Sequence, residues 1–209
     1  MRARAREVRH HMAGRASAAI GPWALTAAGA IPFVALTPQG AETLRKTQAL
    51  RDLNLPGFDC VLSRAPELQR SYAASIVSFL GAVHWGTAMG AGPGGRWVTM
   101  RYLWGVTPSL LGWGSLNLPE VYSLGGLIAT LGSCYAVDRA AIRHGLLPKW
   151  YGPIRTTATT MAISGLSLSL YSVWSKQRKQ RRAAVQERRK GKEERPVEAS
   201  EKETKTTDV

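Results

Sequence analysis

Residues 71–92 read SYAASIVSFLGAVHWGTAMGAG, twenty-two positions without an acidic side chain, a lysine or an arginine. The stretch does not alternate between apolar and polar positions as a half-buried strand does, and it runs unbroken to the Gly-Pro-Gly-Gly turn at 92–95. At 1.5 Å per residue, a helix over it is long enough to cross about 30 Å of hydrocarbon.

It is one of five such windows. Residues 16–41, 71–95, 102–119, 121–137 and 156–175 carry no Asp, Glu, Lys or Arg, and together they make up 106 of the 209 positions. Charge is concentrated at the ends: five Arg and one Glu in residues 1–20, then twelve basic and seven acidic side chains in 175–209. The 154 residues between hold 17 charges, about 11%, where a soluble domain averages about 25%. At that average, one given stretch of 18 residues escapes charge about half a per cent of the time, so five need a common cause. A bilayer supplies one. Runs such as Ala73 to Leu80 and Leu124 to Leu131 do not alternate, which argues against a transmembrane barrel. The predicted fold is all-α: an integral membrane bundle of about five transmembrane helices with a basic extramembrane C-terminal helix and tail.

Three segments follow. Residues 1–19 form a basic leader or arm, in which Met1, Ala5, Val8 and Met12 make one helical stripe beside Arg2, Arg6 and Arg9. An Arg-rich, acid-poor amphipathic start is the composition of an organellar transit peptide, and a solvated basic arm is the alternative. Residues 20–175 form the membrane domain. Its first helix, over about 20–37, is shortened or kinked by Pro32, and loop 38–70 is a surface segment with short amphipathic helices. Windows three and four meet at Asn117, Pro119 and Glu120, either as an antiparallel hairpin or as one re-entrant element. Residues 176–209 are helix-forming as far as Lys190, after which EERPVEASEKETKTTDV is disordered by composition.

Small residues every fourth position let helices approach closely in a membrane. Ser78, Ala82, Gly86 and Gly90 on window two, and Gly125, Ala129 and Ser133 on window four, are therefore the expected packing faces. Arg139, Arg143, Lys149 and Arg155 surround Trp150 and Tyr151 in an interfacial loop that suits anionic lipid such as cardiolipin. Asp138 and Arg155 are expected to pair at one membrane face as a register device. Trp85, Trp97, Trp104, Trp113 and Trp174 fall mostly near window ends, as interface anchors do.

Chemistry is sparse. His84 is the readily titratable side chain well inside a window, and an ionisable group at membrane depth is a functional candidate by default. With Thr157, Thr160, Ser164 and Ser167, which share one face of helix five, it composes a candidate intramembrane polar site. A neutral imidazole bonded to a hydroxyl or carbonyl of a neighbouring helix satisfies the same residue without any function. No P-loop, HExxH or GxSxG pattern occurs, and Cys60 and Cys134 form neither a CxxC nor a spaced metal set. No catalysis, metal or cofactor is expected. Nucleic acid is an unlikely partner, because residues 175–209 lack an aromatic ring for base stacking.

The strings IPF at 31–33, SFLGAVHWG at 78–86, TPSLLGW at 107–113, Asp138, and LPKWYGPIRTTAT at 147–159 together resemble the transmembrane protein 69 family over about residues 20–175. That resemblance implies a multi-span protein of the mitochondrial inner membrane, or of bacterial membranes, with no known activity and no catalytic residues to carry over. The expectation is a non-catalytic accessory or assembly subunit of a respiratory-chain or ATP-synthase-type complex, in contact with other membrane subunits and with lipid. The alternative is a small channel or carrier using His84 and the hydroxyl-lined helix.

Overall fold

The computed structural model describes residues 21–53, 55–92 and 95–206, with side chains as far as Arg189. The leader expected at 1–19 lies outside the described residues. Among these the chain is helical, without strands. The described part of α1 covers 21–35, and three short helices follow: α2 (Pro38–Lys46), α3 (Gln48–Asp52) and α4 (Phe58–Ser63). Three long ones come next: α5 (Ala65–Gly90), α6 (Arg96–Leu116) and α7 (Glu120–Arg143). The last, α8, runs Tyr151–Thr206. The chain divides into two compact units, Met1–Leu170 and Tyr171–Val209.

Windows two to five fall on α5 to α8 and window one on α1, so the expected helices form. Absence of charge is a weaker property than apolarity, however. Among the described residues no helix is long and apolar enough to cross a membrane. The physical reason lies in what replaces charge: Ser71, Ser75, Ser78, His84 and Thr87 punctuate α5, and hydroxyls recur throughout the start of α8.

Short helices appear in loop 38–70 as expected. Thr37 caps α2, its hydroxyl accepting from the Gly40 N–H at 3.0 Å, with Pro38 in the first turn. Ala41, Leu62 and Ala65 then form a small core against Leu36, Leu44 and Phe58. Pro119 and Glu120 open α7 after a turn at 117–118, which resolves windows three and four into a hairpin of two helices.

The seams between long helices are made of glycine. A Cβ on Gly81 would collide with the backbone carbonyl of Gly105, and one on Gly112 would lie 2.7 Å from Val77 Cγ2. Pro108 is fully buried on the same line, between these glycines. In the same way Gly165 of α8 lies against the carbonyl of Phe33. That carbonyl, one turn from the end of α1, accepts from Gln69 Nε2 at 2.8 Å, and the Gly29 carbonyl accepts from the Tyr72 hydroxyl at 2.7 Å.

These seams correct the expected packing faces. Ala82, Gly86 and Gly90 are exposed and Ser78 half-buried, while Ala73, Ala74, Val77, Gly81, His84 and Ala88 are buried. On α7, Ala129 and Ser133 are exposed and Gly125 half-buried; Gly126 meets the Ser115 hydroxyl instead. The small-residue spacing was read correctly but one position off, and one position is about 100° on a helix.

In the second unit, Arg178 sits 5.1 Å from the centre of the Trp174 ring, and the side chains from Lys176 to Arg189 are exposed. The backbone stays helical to Thr206, beyond the Gly191 at which composition had ended it.

Candidate functional site

The buried residues of α7 recur at 123/124, 127, 130/131, 134, 138 and 141, the three-to-four spacing of a core-facing stripe. Asp138 occupies a full place in that stripe and is 1% exposed. His84 holds the corresponding place on α5 and Arg155 on α8, 5% and 3% exposed. Three helices therefore bring an acid and two bases to one point in the interior.

The carboxylate divides its oxygens between the two bases. His84 Nε2 lies 2.7 Å from Oδ1, and Arg155 Nε donates to Oδ2. Arg155 Nη1 donates to the Thr159 hydroxyl at 2.6 Å, and that hydroxyl donates to the Arg155 carbonyl one turn back. Arg155 Nη2 is buried without a partner. With Asp138 as a carboxylate, His84 donates through Nε2–H and keeps Nδ1 as its remaining polar atom. Buried ions of this kind are tolerated because they are paired, and removing one partner costs about 3–5 kcal/mol.

Two cavities flank the triad. One of about 570 Å³ is lined by His84 together with Trp97, Met100, Arg101, Trp104 and His144. The other, about 380 Å³, is lined by Arg155 with Phe33, Phe79, Leu131, Trp150 and Tyr151. Asp138 is the link between a base facing each. Among the described residues no group of three or more His, Cys, Asp or Glu gathers to hold a metal ion. Cys60 and Cys134 are free thiols, the first exposed and the second buried. The arrangement is suited to holding three helices together at one point of the interior.

The structure keeps His84 in the interior and takes the rest of the predicted polar site away from it. Thr157, Thr160, Ser164 and Ser167 are exposed, and Thr160 back-bonds to the Thr156 carbonyl at 2.9 Å. Within the first unit the buried hydroxyls of α8 are Thr159 and Ser169, turned away from that face. Nor does His84 use a hydroxyl or carbonyl; its partner is a carboxylate. Of the four basic residues expected at lipid, Arg143 and Lys149 are exposed and Arg139 is half-buried, but Arg155 is enclosed and paired. The Asp138–Arg155 pair forms as expected, but in the interior and not at an exposed face.

Asp138 as the partner of His84 was missed because it ends a charge-free window and reads as a boundary. The signal was present: Leu127, Leu131, Cys134, Asp138 and Ala141 keep one period straight through it. Thr159 has no comparable signal among six neighbouring hydroxyl-bearing positions.

Residues 19–171 match a family described as "Protein of unknown function (DUF3429)". Transmembrane protein 69 of Xenopus tropicalis is 28% identical over 118 residues, which is 56% of this chain and 46% of that protein. The chain thus spans about half the length of the curated relative it matches. Both findings bear out the resemblance read from the quoted strings. No solved structure matches.

Proposed function

The chain belongs to the DUF3429 family, and on that premise we propose that it is a membrane-embedded helical bundle acting without catalysis as an accessory or assembly subunit. The observation that carries this is a bare apolar exterior around an interior that holds ionised and polar groups beside its leucines. Gln69, Asp138, Arg155 and Thr159 are inside, while Leu110 is 61% exposed and Phe79, Leu103 and Trp113 are similarly bare. Water rewards the opposite arrangement, and contiguous apolar faces of this kind mark membrane or protein contact. A printed name of "Transmembrane protein 69" for a relative supports the same reading. Helices too polar to cross singly become compatible with hydrocarbon once bundled, because their hydroxyls back-bond and their ions pair inside.

The organelle follows from the leader, whose Arg-rich composition supports import into mitochondria and residence in the inner membrane. A partner there, of the respiratory-chain or ATP-synthase type, covers some of the bare apolar surface. Arg143 and Lys149 are disposed toward anionic headgroups such as cardiolipin.

Carbonate extraction of membranes from cells making the full chain tests the first step: the protein stays in the pellet, and release into the supernatant overturns it. Native gels in mild detergent test the second. Co-migration with a large complex supports the subunit, and migration as a free monomer overturns it.

A second reading, the small carrier, draws on the cavities either side of the triad. It requires proton-coupled flux in liposomes from purified protein alone, abolished by His84→Phe in a variant that accumulates normally.

A further inference from the structure

From Lys176 to Arg189 the second unit exposes seven cationic side chains and one acid, Glu187. Among the described residues none of the seven forms an ion pair. Like charges three or four positions apart, as in Arg178–Arg181, Arg178–Arg182 and Lys179–Arg182, repel across a turn and disfavour the helix that holds them. Anions set among them turn that repulsion into attraction. RNA is the weaker match, since residues 175–209 hold no ring on which a base could stack.

Order along the helix favours lipid. With 3.6 residues per turn, Tyr171, Trp174, Arg178, Arg181 and Arg182 fall on one stripe about 100° wide, rings first and guanidinium groups after. The rings are exposed, Tyr171 at 66% and Trp174 at 47%, and Arg178 lies 5.1 Å from the centre of the Trp174 ring. Such rings settle at the level of lipid headgroups, and cations just beyond them meet phosphates. The opposite side carries Lys176, Gln180 and Ala183, too little for an apolar face on which to lie flat on a bilayer. The rise from Lys176 to Arg182 is about 9 Å, close to the thickness of one headgroup layer, about 5–8 Å. We propose that this stretch crosses the headgroup layer and binds anionic phospholipid there, with Tyr171 and Trp174 at the inner edge and Lys176, Arg178, Lys179, Arg181 and Arg182 donating to phosphate oxygens. The site rests on the membrane reading for its location.

The test is hydrogen exchange of the full-length protein in nanodiscs, one set of phosphatidylcholine and one of phosphatidylcholine mixed with phosphatidylglycerol. Amides of 176–189 exchange about tenfold more slowly in the anionic discs, less than two cation-to-surface contacts supply at roughly fivefold each. Salt raised to about 1 M removes the difference, and amides of 120–143 exchange alike in both. Replacing three exposed arginines together, Arg178→Gln, Arg181→Gln and Arg182→Gln, removes most of it. Equal exchange in the two discs, or a difference undiminished by the triple substitution, overturns the site. Equal slowing in neutral discs by polyuridylate or polyglutamate also overturns it, assigning the segment to RNA or to an acidic protein. A chain that enters neither disc overturns the membrane reading and the site together, whereas one that enters both and exchanges alike overturns the site alone.

Discussion

Two regions of this chain pack by opposite rules. Between α2 and α4, apolar side chains gather inward on Ala41, Leu62 and Ala65, and the ion pairs Glu42–Lys46 and Arg64–Glu67 stand exposed. Between α5 and α7, glycines and a buried ion triad share the interior with Val77, Leu124, Leu127 and Leu131, while Phe79, Leu103, Leu110 and Trp113 face out. The first is the order that water imposes. The second is intelligible if the surroundings are themselves apolar, so that bare apolar side chains cost nothing outside and close backbone contact and paired charges help to hold the helices. One chain reads as if built for two solvents.

The contrast is most exposed to failure at Asp138. Asp138→Ala leaves Arg155 and His84 buried without their carboxylate and is expected to cost about 3–5 kcal/mol, read as loss of folded protein on detergent size exclusion. A triple apolar exchange of His84, Asp138 and Arg155 recovers folding, as matched replacement of buried ions often does. Next, Leu110→Lys distinguishes the solvents directly. In hydrocarbon it costs about 3 kcal/mol, seen as poor accumulation in membranes. A change within about 0.5 kcal/mol, usual for a surface site in water, would sink the comparison.

Gly81→Ala pushes α5 off α6 and costs about 2 kcal/mol, whereas Gly86→Ala, with open space around it, is neutral or stabilises by up to about 1 kcal/mol. Thermal unfolding of the pair in one detergent measures the difference. In the α2–α4 region Leu62→Ala is expected to cost about 2 kcal/mol, at the low end for leucine because the cluster is small. Hydrogen exchange should show that loss confined to residues 38–70. The smallest effect is at Glu42, whose carboxyl is held below its usual range by the Lys46 ammonium hydrogen-bonded to it. A depressed folded value means the pair supports α2 above the unfolded carboxylate pKa and ceases to do so as pH falls through the folded one. Amide exchange in 38–46 should quicken on acidification, and not in Glu42→Gln.

Much of this was legible beforehand. Charge-free windows located the long helices, Pro119 and Glu120 located the hairpin, and the balanced charge of 38–70 located the short helices. What failed was rotation about the helix axes. A stripe of small residues looks alike in two adjacent registers, and only contact with a neighbour decides between Gly81 and Ala82. The candidate site was half legible for a related reason. Treating every charge as the edge of a span placed Asp138 and Arg155 outside the interior, although the period running through Leu131, Cys134 and Asp138 placed the acid within it. The hydroxyl face of α8 failed because the eight Thr and Ser residues of 156–174 surround the helix and give no direction until something packs against it.

The members of the triad are far apart along the chain, His84 preceding Asp138 by 54 positions and Arg155 following it by 17. A ribosome releasing this polypeptide from its N-terminus delivers the histidine and the aspartate before the arginine has been translated. Until then the acid has an imidazole for company and no permanent cation, so the nascent α5–α7 hairpins wait on the beginning of α8 to become electrically complete. Truncation before residue 155 therefore removes a counterion as well as a helix, and shorter products should be the ones that quality-control proteases recognise first.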